Sequence, residues 1–435
     1  MVWISSRNRI AQQCLGLVSS ALVAATGAGE AAARAPAPRR AAAASAIPAR
    51  RTYTLSAALE RFERQSPRLV AARMRARGLS SAAGVSASFA NPSLDYDQEL
   101  VFPLATEEVI RVKLPIPLGG RFARKREVAQ RQARLARAQV TQLSATGGVG
   151  FARRYFELLR LHRLLTLRRQ SLREHRELLK RISARAAGGG LAGIVATRLE
   201  LEVRRRRFGL EGLRERIDRL GRTLALAIGD REQILVPTGA LLPSEPPPLQ
   251  TLRSKLDRSS TQRLLRLTLE VHRAEERLAQ ARRWPDLGLS LGYIRQQAPQ
   301  PDRQVSHGLV FGLSLPLPLF SSGRREVRVA RLRSRGAAWQ LKVRGDNSRV
   351  LLRDAHGRAA RARERWTRYR VGLLKRLPEL LRGVRVAFDS GGALSNILES
   401  LAAVDALREG GLKLALEARL HTLRLHELAG TLPRR

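Results

Sequence analysis

One pattern occurs twice in this chain, and it constrains the fold more than any other feature. The first copy begins at Leu55-Ser-Ala-Ala-Leu-Glu60 and ends at Leu224-Ala-Leu-Ala-Ile-Gly229. The second begins at Leu252-Arg-Ser-Lys-Leu-Asp257 and ends at Leu425-His-Glu-Leu-Ala-Gly430. A Pro-rich linker, Pro237 to Pro248, separates them. The internal landmarks keep one order. Asn91-Pro92-Ser93-Leu94 answers to Trp284-Pro285-Asp286-Leu287, and Leu114-Pro115-Ile116-Pro117-Leu118 to Leu315-Pro316-Leu317-Pro318-Leu319. Gly120-Arg121 answers to Gly323-Arg324, and Gly190-Leu-Ala-Gly193 to Gly392-Ala-Leu-Ser395. Each copy reads helix, strand, strand, very long helix, small-residue turn, helix.

The strands alternate. Leu94, Tyr96 and Leu100 oppose Asp95, Asp97 and Glu99, while Ile110, Val112, Leu114 and Ile116 oppose Arg111 and Lys113. In the second copy Leu287, Leu289, Leu291 and Tyr293 oppose Gly288, Ser290 and Gly292. Leu309, Phe311 and Leu313 likewise oppose Gly308, Gly312 and Ser314. About ten residues, apolar on one face and small or polar on the other, is the pattern of a tilted strand in a membrane barrel with a wet lumen. Proline marks the helix–strand junctions at Pro92, Pro115, Pro117, Pro285, Pro316 and Pro318, because it fixes extended geometry before it and withholds a ladder donor. Four strands cannot close a barrel and open edges are not tolerated in lipid, so several chains must pool their strands. Segments 103–107 and 296–306 are expected as external loops. Phe89, Phe122, Trp284 and Phe320 are expected to form a girdle at the barrel's helical end.

The helices are too long for a globule. From Arg121 to Ala186 there is no proline, so one helix would run about 100 Å. Leu158, Leu165, Leu172 and Leu179 repeat by sevens, and Val203, Leu210, Leu213, Ile217, Leu220 and Leu224 alternate threes and fours. These are coiled-coil seams. Trp366, Tyr369, Leu373, Leu377, Leu380 and Val384 repeat the logic, with a kink expected at Pro378. Gly147-Gly148 predicts a bend or break near 146–150.

Composition then narrows the setting. Residues 1–29 read as a signal peptide, with Arg7 and Arg9 before an apolar run and small residues after it, and residues 30–51 as a disordered Ala/Pro/Arg-rich leader. Two repeats, 52–230 and 251–430, flank the linker at 231–250, and 431–435 form a tail. The lone cysteine, Cys14, lies in the signal segment, so neither a disulfide nor a Cys-based metal site forms in the mature chain. The formal net charge is +43, with seven Lys and 73 Arg spread from end to end. Such a charge suggests nucleic acid. The spread and the alternating strands argue against it, leaving a basic coiled-coil scaffold or nucleic-acid-binding helical protein as the alternative.

With these residues in view, the chain resembles the outer-membrane efflux family, the TolC-like ducts, over about residues 52–430. The Leu114–Gly120 and Leu315–Phe320 stretches resemble its heavy-metal branch most. The resemblance implies an α+β membrane protein: a coiled-coil α-barrel in the periplasm below a β-barrel completed by trimerisation, four strands per chain. It implies a homotrimer in outer-membrane lipid, a periplasmic adaptor and an inner-membrane pump as partners, and passive passage without a cofactor, metal or catalytic residue. Gly188, Gly189, Gly190, Gly193, Gly391, Gly392, Ala393 and Ser395 would form adaptor-docking tips at 187–193 and 389–395. Glu399 and Asp405 are the candidate gate carboxylates. Asp95, Asp97, Glu99, Arg111, Lys113, Ser290 and Ser314 would line the barrel lumen, where the three acids could favour cations, while an Arg-rich helical tube would favour anions.

Two motif matches are refused. Gly188-Gly-Gly-Leu-Ala-Gly193 fits the dinucleotide fingerprint, but a long helix rather than a strand precedes it. Gly288-Leu-Ser-Leu-Gly292 fits a nucleophile elbow, but its Ser lies in mid-strand.

Overall fold

A computed structural model describes residues 49–85, 91–101, 105–186, 191–242, 245–297, 305–317, 322–389 and 394–432. The signal segment and most of the leader therefore lie outside the described residues, as do Pro318, Phe89 and Phe320.

The chain opens with β1 (Ala49–Tyr53), α1 (Leu55–Gln65) and α2 (Pro67–Val85). The antiparallel strands β2 (Ser93–Val101) and β3 (Ala105–Pro117) follow, then α3 (Arg121–Ala186) and α4 (Leu191–Ala227). After β4 (Gln233–Pro237) the plan recurs: α5 (Leu249–Leu256), α6 (Ser260–Ala281), β5 (Asp286–Gln297), β6 (Val305–Ser314), α7 (Arg324–Gly372), α8 (Leu377–Asp389) and α9 (Leu394–Ala429). Thr54 caps α1 by accepting the Ala57 N–H, and Ser259 caps α6 through the Gln262 N–H.

α3 runs 66 residues without interruption, so of the bend or break expected near 146–150, at Gly147-Gly148, the break does not occur. Those glycines serve close packing instead. A Cβ on Gly147 would lie 3.0 Å from the Phe62 ring, and one on Gly148 would collide with Leu432. Tertiary contact outweighs the modest helix penalty of glycine there. The kink at Pro378 does occur. α7 stops at Gly372, a single 3₁₀ turn spans Leu374–Arg376, and α8 resumes at Leu377. A proline ring excludes the carbonyl four residues earlier, which here is Leu374.

The largest core belongs mainly to the first repeat. Leu158, Leu161, Leu165 and Leu172 of α3 meet Leu210, Leu213, Ile217 and Leu224 of α4, with Phe62 and Phe151 stacked at a tilt beside them. Here the expected seams are buried except at Leu179, Val203 and Leu220, which are partly buried. The second seam holds only in part: Trp366 and Leu377 are buried, but Leu373 and Leu380 stand 43% and 40% exposed in the single chain. The break before Pro378 interrupts that seam between Leu373 and Leu377. A smaller core of Leu252, Leu256, Leu352, Ala355, Ala359, Leu425 and Ala429 holds the second repeat.

One pairing has no warning in the sequence. β1 and β4 lie parallel, from Ala49 opposite Gln233 to Tyr53 opposite Pro237. The leader thus gives up its last residues, 49–51, to a strand, and the 231–250 linker contains one. Arg50-Arg51 breaks the alternation that would have revealed β1.

Candidate functional site

The four strands of the repeats form one antiparallel sheet in the order β2-β3-β5-β6. The register places the leucines and aromatic residues of all four strands on one face, while Val109, Ile294 and Val310 fall on the other. Leu94, Val112, Leu291 and Phe311 stand in one row, and Tyr96, Ile110, Tyr293 and Leu309 in the next. This face has no covering layer among the described residues: Leu94, Leu309 and Phe311 are 71%, 70% and 76% exposed. A sheet with one bare apolar face and two unpaired edges, β2 and β6, is incomplete as a single soluble chain.

The opposite face carries every polar strand residue singled out above. Lys113 Nζ lies 2.6 Å from Asp95 and Arg111 Nη1 3.2 Å from Asp97, both diagonal across the β2–β3 ladder. The carboxylates that suggested cation preference are therefore matched by cations in the neighbouring strand. Glu99 faces Glu107 nearer the hairpin end, and Gln296 Nε2 donates to Glu107 at 3.0 Å. Ser290 stands opposite Gly312, and Ser314 opposite Gly288. An added Cβ at either glycine would strike the facing hydroxyl, so the β5–β6 half of this face stays thin.

The strands outrun their expected lengths. Residues 105–107, 296–297 and 305–306 belong to ladders rather than to loops, and the remaining loop residues lie outside the described set. Pro92 and Pro285 stand just before β2 and β5, and Pro316 just after β6. Pro115 and Pro117 lie inside β3, opposite Gly288 and Asp286. β2 pairs only as far as Lys113, so both prolines occupy a stretch where β3 is itself an edge and a missing donor costs nothing. Below, Gly119 adopts φ 66°, and a Cβ there would lie 2.5 Å from the Trp284 ring. The indole thus rests against backbone, with 61% of its surface still exposed. Phe122 is half-buried at the same level.

At the far end of the helices the two hairpins meet. Leu178, Ile182, Leu199, Ile397 and Leu401 form a common core of α3, α4 and α9, with Leu381 and Val384 of α8 against it. Of the tip residues, Gly188, Gly189, Gly190, Gly391, Gly392 and Ala393 lie outside the described residues, and Ser395 falls in the first turn of α9. Gly193 is exposed in the first turn of α4, with open space where a Cβ would stand. Glu399 is exposed beside the buried Ile397 and Leu401.

Asp405, the second gate candidate, contacts the helices of the first repeat. It accepts hydrogen bonds from Ser171 Oγ at 2.5 Å and Arg206 Nη1 at 2.7 Å, tying α3 and α4 to α9. Arg168 grips Glu409 through two bonds, at 2.8 and 3.2 Å, one turn further on. His175 is almost fully buried beside this cluster, its Nδ1 2.8 Å from the Ser171 carbonyl. Burial holds its pKa below the ordinary histidine range, and the Arg206 charge adds to that. The sequence marked Asp405 alone, and only the packing of α9 on α3 brings it near His175. Among the described residues no group of three or more His, Cys, Asp or Glu side chains could hold a metal ion. No described helix is long and apolar enough to cross a membrane.

No protein-family model matches this chain, and no curated protein matches it. Solved structures do. CusC, described with transmembrane channel formation, is 13% identical and superposes over 87% of this chain and 92% of its own, with a TM-score of 0.69. The outer membrane protein VceC of Vibrio cholerae is 17% identical over 87% and 97%, with a TM-score of 0.66. The open state of the Neisseria gonorrhoeae MtrE outer membrane channel is 14% identical over 87% and 89%, with a TM-score of 0.65. So little shared sequence over nearly the whole of every chain is a likeness of architecture, carried here by the duplicated plan of strands and long helices: the chain has the fold of the TolC-like outer-membrane channels.

Proposed function

We propose that this chain is the outer-membrane exit duct of a tripartite export system, working as a homotrimer with a periplasmic adaptor and an inner-membrane pump. The observation that carries the reading is the in-register apolar face of the β2-β3-β5-β6 sheet, bare in the single chain and bounded by two open edges. Joining β6 of one chain to β2 of the next removes the edges, and the face then meets lipid while Asp95, Asp97, Arg111, Lys113, Ser290 and Ser314 line the lumen. Three chains supply twelve strands, above the minimum of about eight for closure. The long helices continue the duct into the periplasm. No residue is assigned a catalytic step, since substrate only passes through.

The tips at 187–193 and 389–395 are the adaptor-docking end, and Glu399 is the gate carboxylate on that end. Gly193 offers a clean test, because open space surrounds its missing Cβ. Gly193→Trp is expected to leave trimer size and channel conductance intact while abolishing export in cells. Loss of the trimer would give Gly193 a folding role instead. The whole reading is tested by fractionation and planar-bilayer recording. Recovery of a soluble protein that shifts DNA, with no conductance, would replace the duct by the basic-scaffold alternative.

A further inference from the structure

The positive charge is spread along the whole chain, and six of its cations stand where the helices meet the sheet. Lys125 and Arg126 lie in the first turns of α3, Arg282 and Arg283 follow α6, and Arg324 and Arg325 open α7. All six are exposed, and none shares an ion pair among the described residues. The acids nearby are few. Asp286 is held by Arg121 at 2.5 Å, Glu127 by Arg277 at 2.6 Å and Arg124 at 3.1 Å, and Glu275, which shares a groove with Arg282 and Arg325, lies 3.0 Å from His272, leaving Glu326 exposed beside the cluster.

Two contacts bind the three segments into one surface. The Trp284 ring lies against Gly119, and the Arg283 stem lies 3.0 Å from where a Cβ on Gly323 would stand. The bare apolar face starts directly above, at the Ile116–Leu287 pair, with exposed Leu315 and Leu317 alongside. An exposed indole between an apolar band and a row of cations is the layering of a membrane–water interface.

From this layering we infer that the six cations form a collar that binds the headgroups of anionic glycerophospholipids in the leaflet at the helical end of the barrel. The inference rests on the outer-membrane reading above. Lys125 and Arg126 lie within about 8 Å of the start of α3 along its axis, so their stems reach the headgroup level. Cations at that depth are attracted to an anionic surface within about a Debye length, and lose that attraction as salt rises.

The test uses the full chain, purified in neutral detergent and mixed with preformed vesicles of phosphatidylcholine alone, or of phosphatidylcholine with a third of phosphatidylglycerol. Co-flotation measures binding, and conductance of the recovered vesicles reports the channel separately. Wild type is expected to bind the anionic vesicles about tenfold better near 0.1 M salt, with the preference shrinking towards unity near 1 M. K125Q/R126Q/R282Q/R283Q/R324Q/R325Q should lose the preference yet still conduct. A control with the same charge loss on the α3–α4 hairpin away from the sheet, R173Q/R176Q/R198Q/R214Q/R219Q/R222Q, should keep it. Equal binding of wild type to both vesicles overturns the collar, and that comparison needs no variant. Equal loss in the control overturns it too, because the preference would then belong to the overall charge. Absence of conductance from every sample instead defeats the duct reading on which the collar depends.

Discussion

Well down each long helix, one side chain reaches for the linker, and the two repeats do this differently. In the first, Tyr155 is 1% exposed; its hydroxyl lies 2.7 Å from the carbonyl oxygens of both Tyr53 and Thr238 and accepts the Thr238 N–H at 3.0 Å. In the second, His356 makes one contact, 3.1 Å from the Pro247 carbonyl, beside an open groove of about 910 Å³. The contrast continues along the helices. α3 is unbroken over a leucine and aromatic core, whereas the second hairpin packs alanines against few leucines and breaks before Pro378. Equivalent topology therefore does not imply equivalent rigidity: the first repeat is the frame, and the second leans on it through the Arg206–Asp405 and Arg168–Glu409 bridges.

That contrast can be broken at several points. The largest effect is expected from Leu158→Ala, which empties a fully buried site and should cost about 2–5 kcal/mol in denaturant unfolding. Leu373→Ala, at a half-open site of the second repeat, should cost under about 1 kcal/mol. Equal costs would erase the distinction. Next comes Asp405→Ala, which leaves Arg206 with Ser171 and the Glu202 carboxylate one turn earlier. With both side chains of the pair about four-fifths buried, a loss of about 1–3 kcal/mol is expected, and a double-mutant cycle with Arg206→Ala should return a coupling of roughly 1 kcal/mol. A coupling near zero would mean that the second repeat stands alone.

The pH dependence is smaller. His162, His175 and His426 are all held below the ordinary histidine pKa, chiefly by burial, with Arg50, Arg206 and Lys255 respectively adding repulsion. Each binds a proton more readily when unfolded. Stability should therefore be full above about pH 6.5, fall as pH drops below it, and level off once the folded groups themselves protonate. Comparing melting at pH 7.5 and 5.5 for wild type and His175→Gln checks this, the variant losing less. The smallest effect is expected of Pro378→Ala. It should join α7 to α8, raise helical circular dichroism slightly and slow hydrogen exchange over 373–377, with a gain under about 1 kcal/mol.

The alternating strands, their shared face and the duplicated order were legible because each depends on periods of two or seven read locally. The leucine seam of α3 was legible for the same reason. Gly147-Gly148 misled because propensity is local, while the Phe62 ring that makes those glycines useful comes from another helix. The partners of Asp405 were not legible either: they lie on α3 and α4, and no spacing along α9 announces them. In the second seam the kink at Pro378 was legible, but the exposure of Leu373 and Leu380 on either side of it was not.

The parallel pair of β1 and β4 bears on the order in which the chain can assemble. Tyr53 waits for Thr238, whose amide donates to its carbonyl at 3.0 Å, and for Asp230, 177 residues further on. A parallel pair of such high contact order forms late, after its loop-closure entropy has been met by other contacts. In an exported chain the first repeat must be delivered nearly whole before its first strand finds a mate. Until then Arg50 and Arg51 remain in water, a soluble stub that holds an unpaired edge apart from others of its kind.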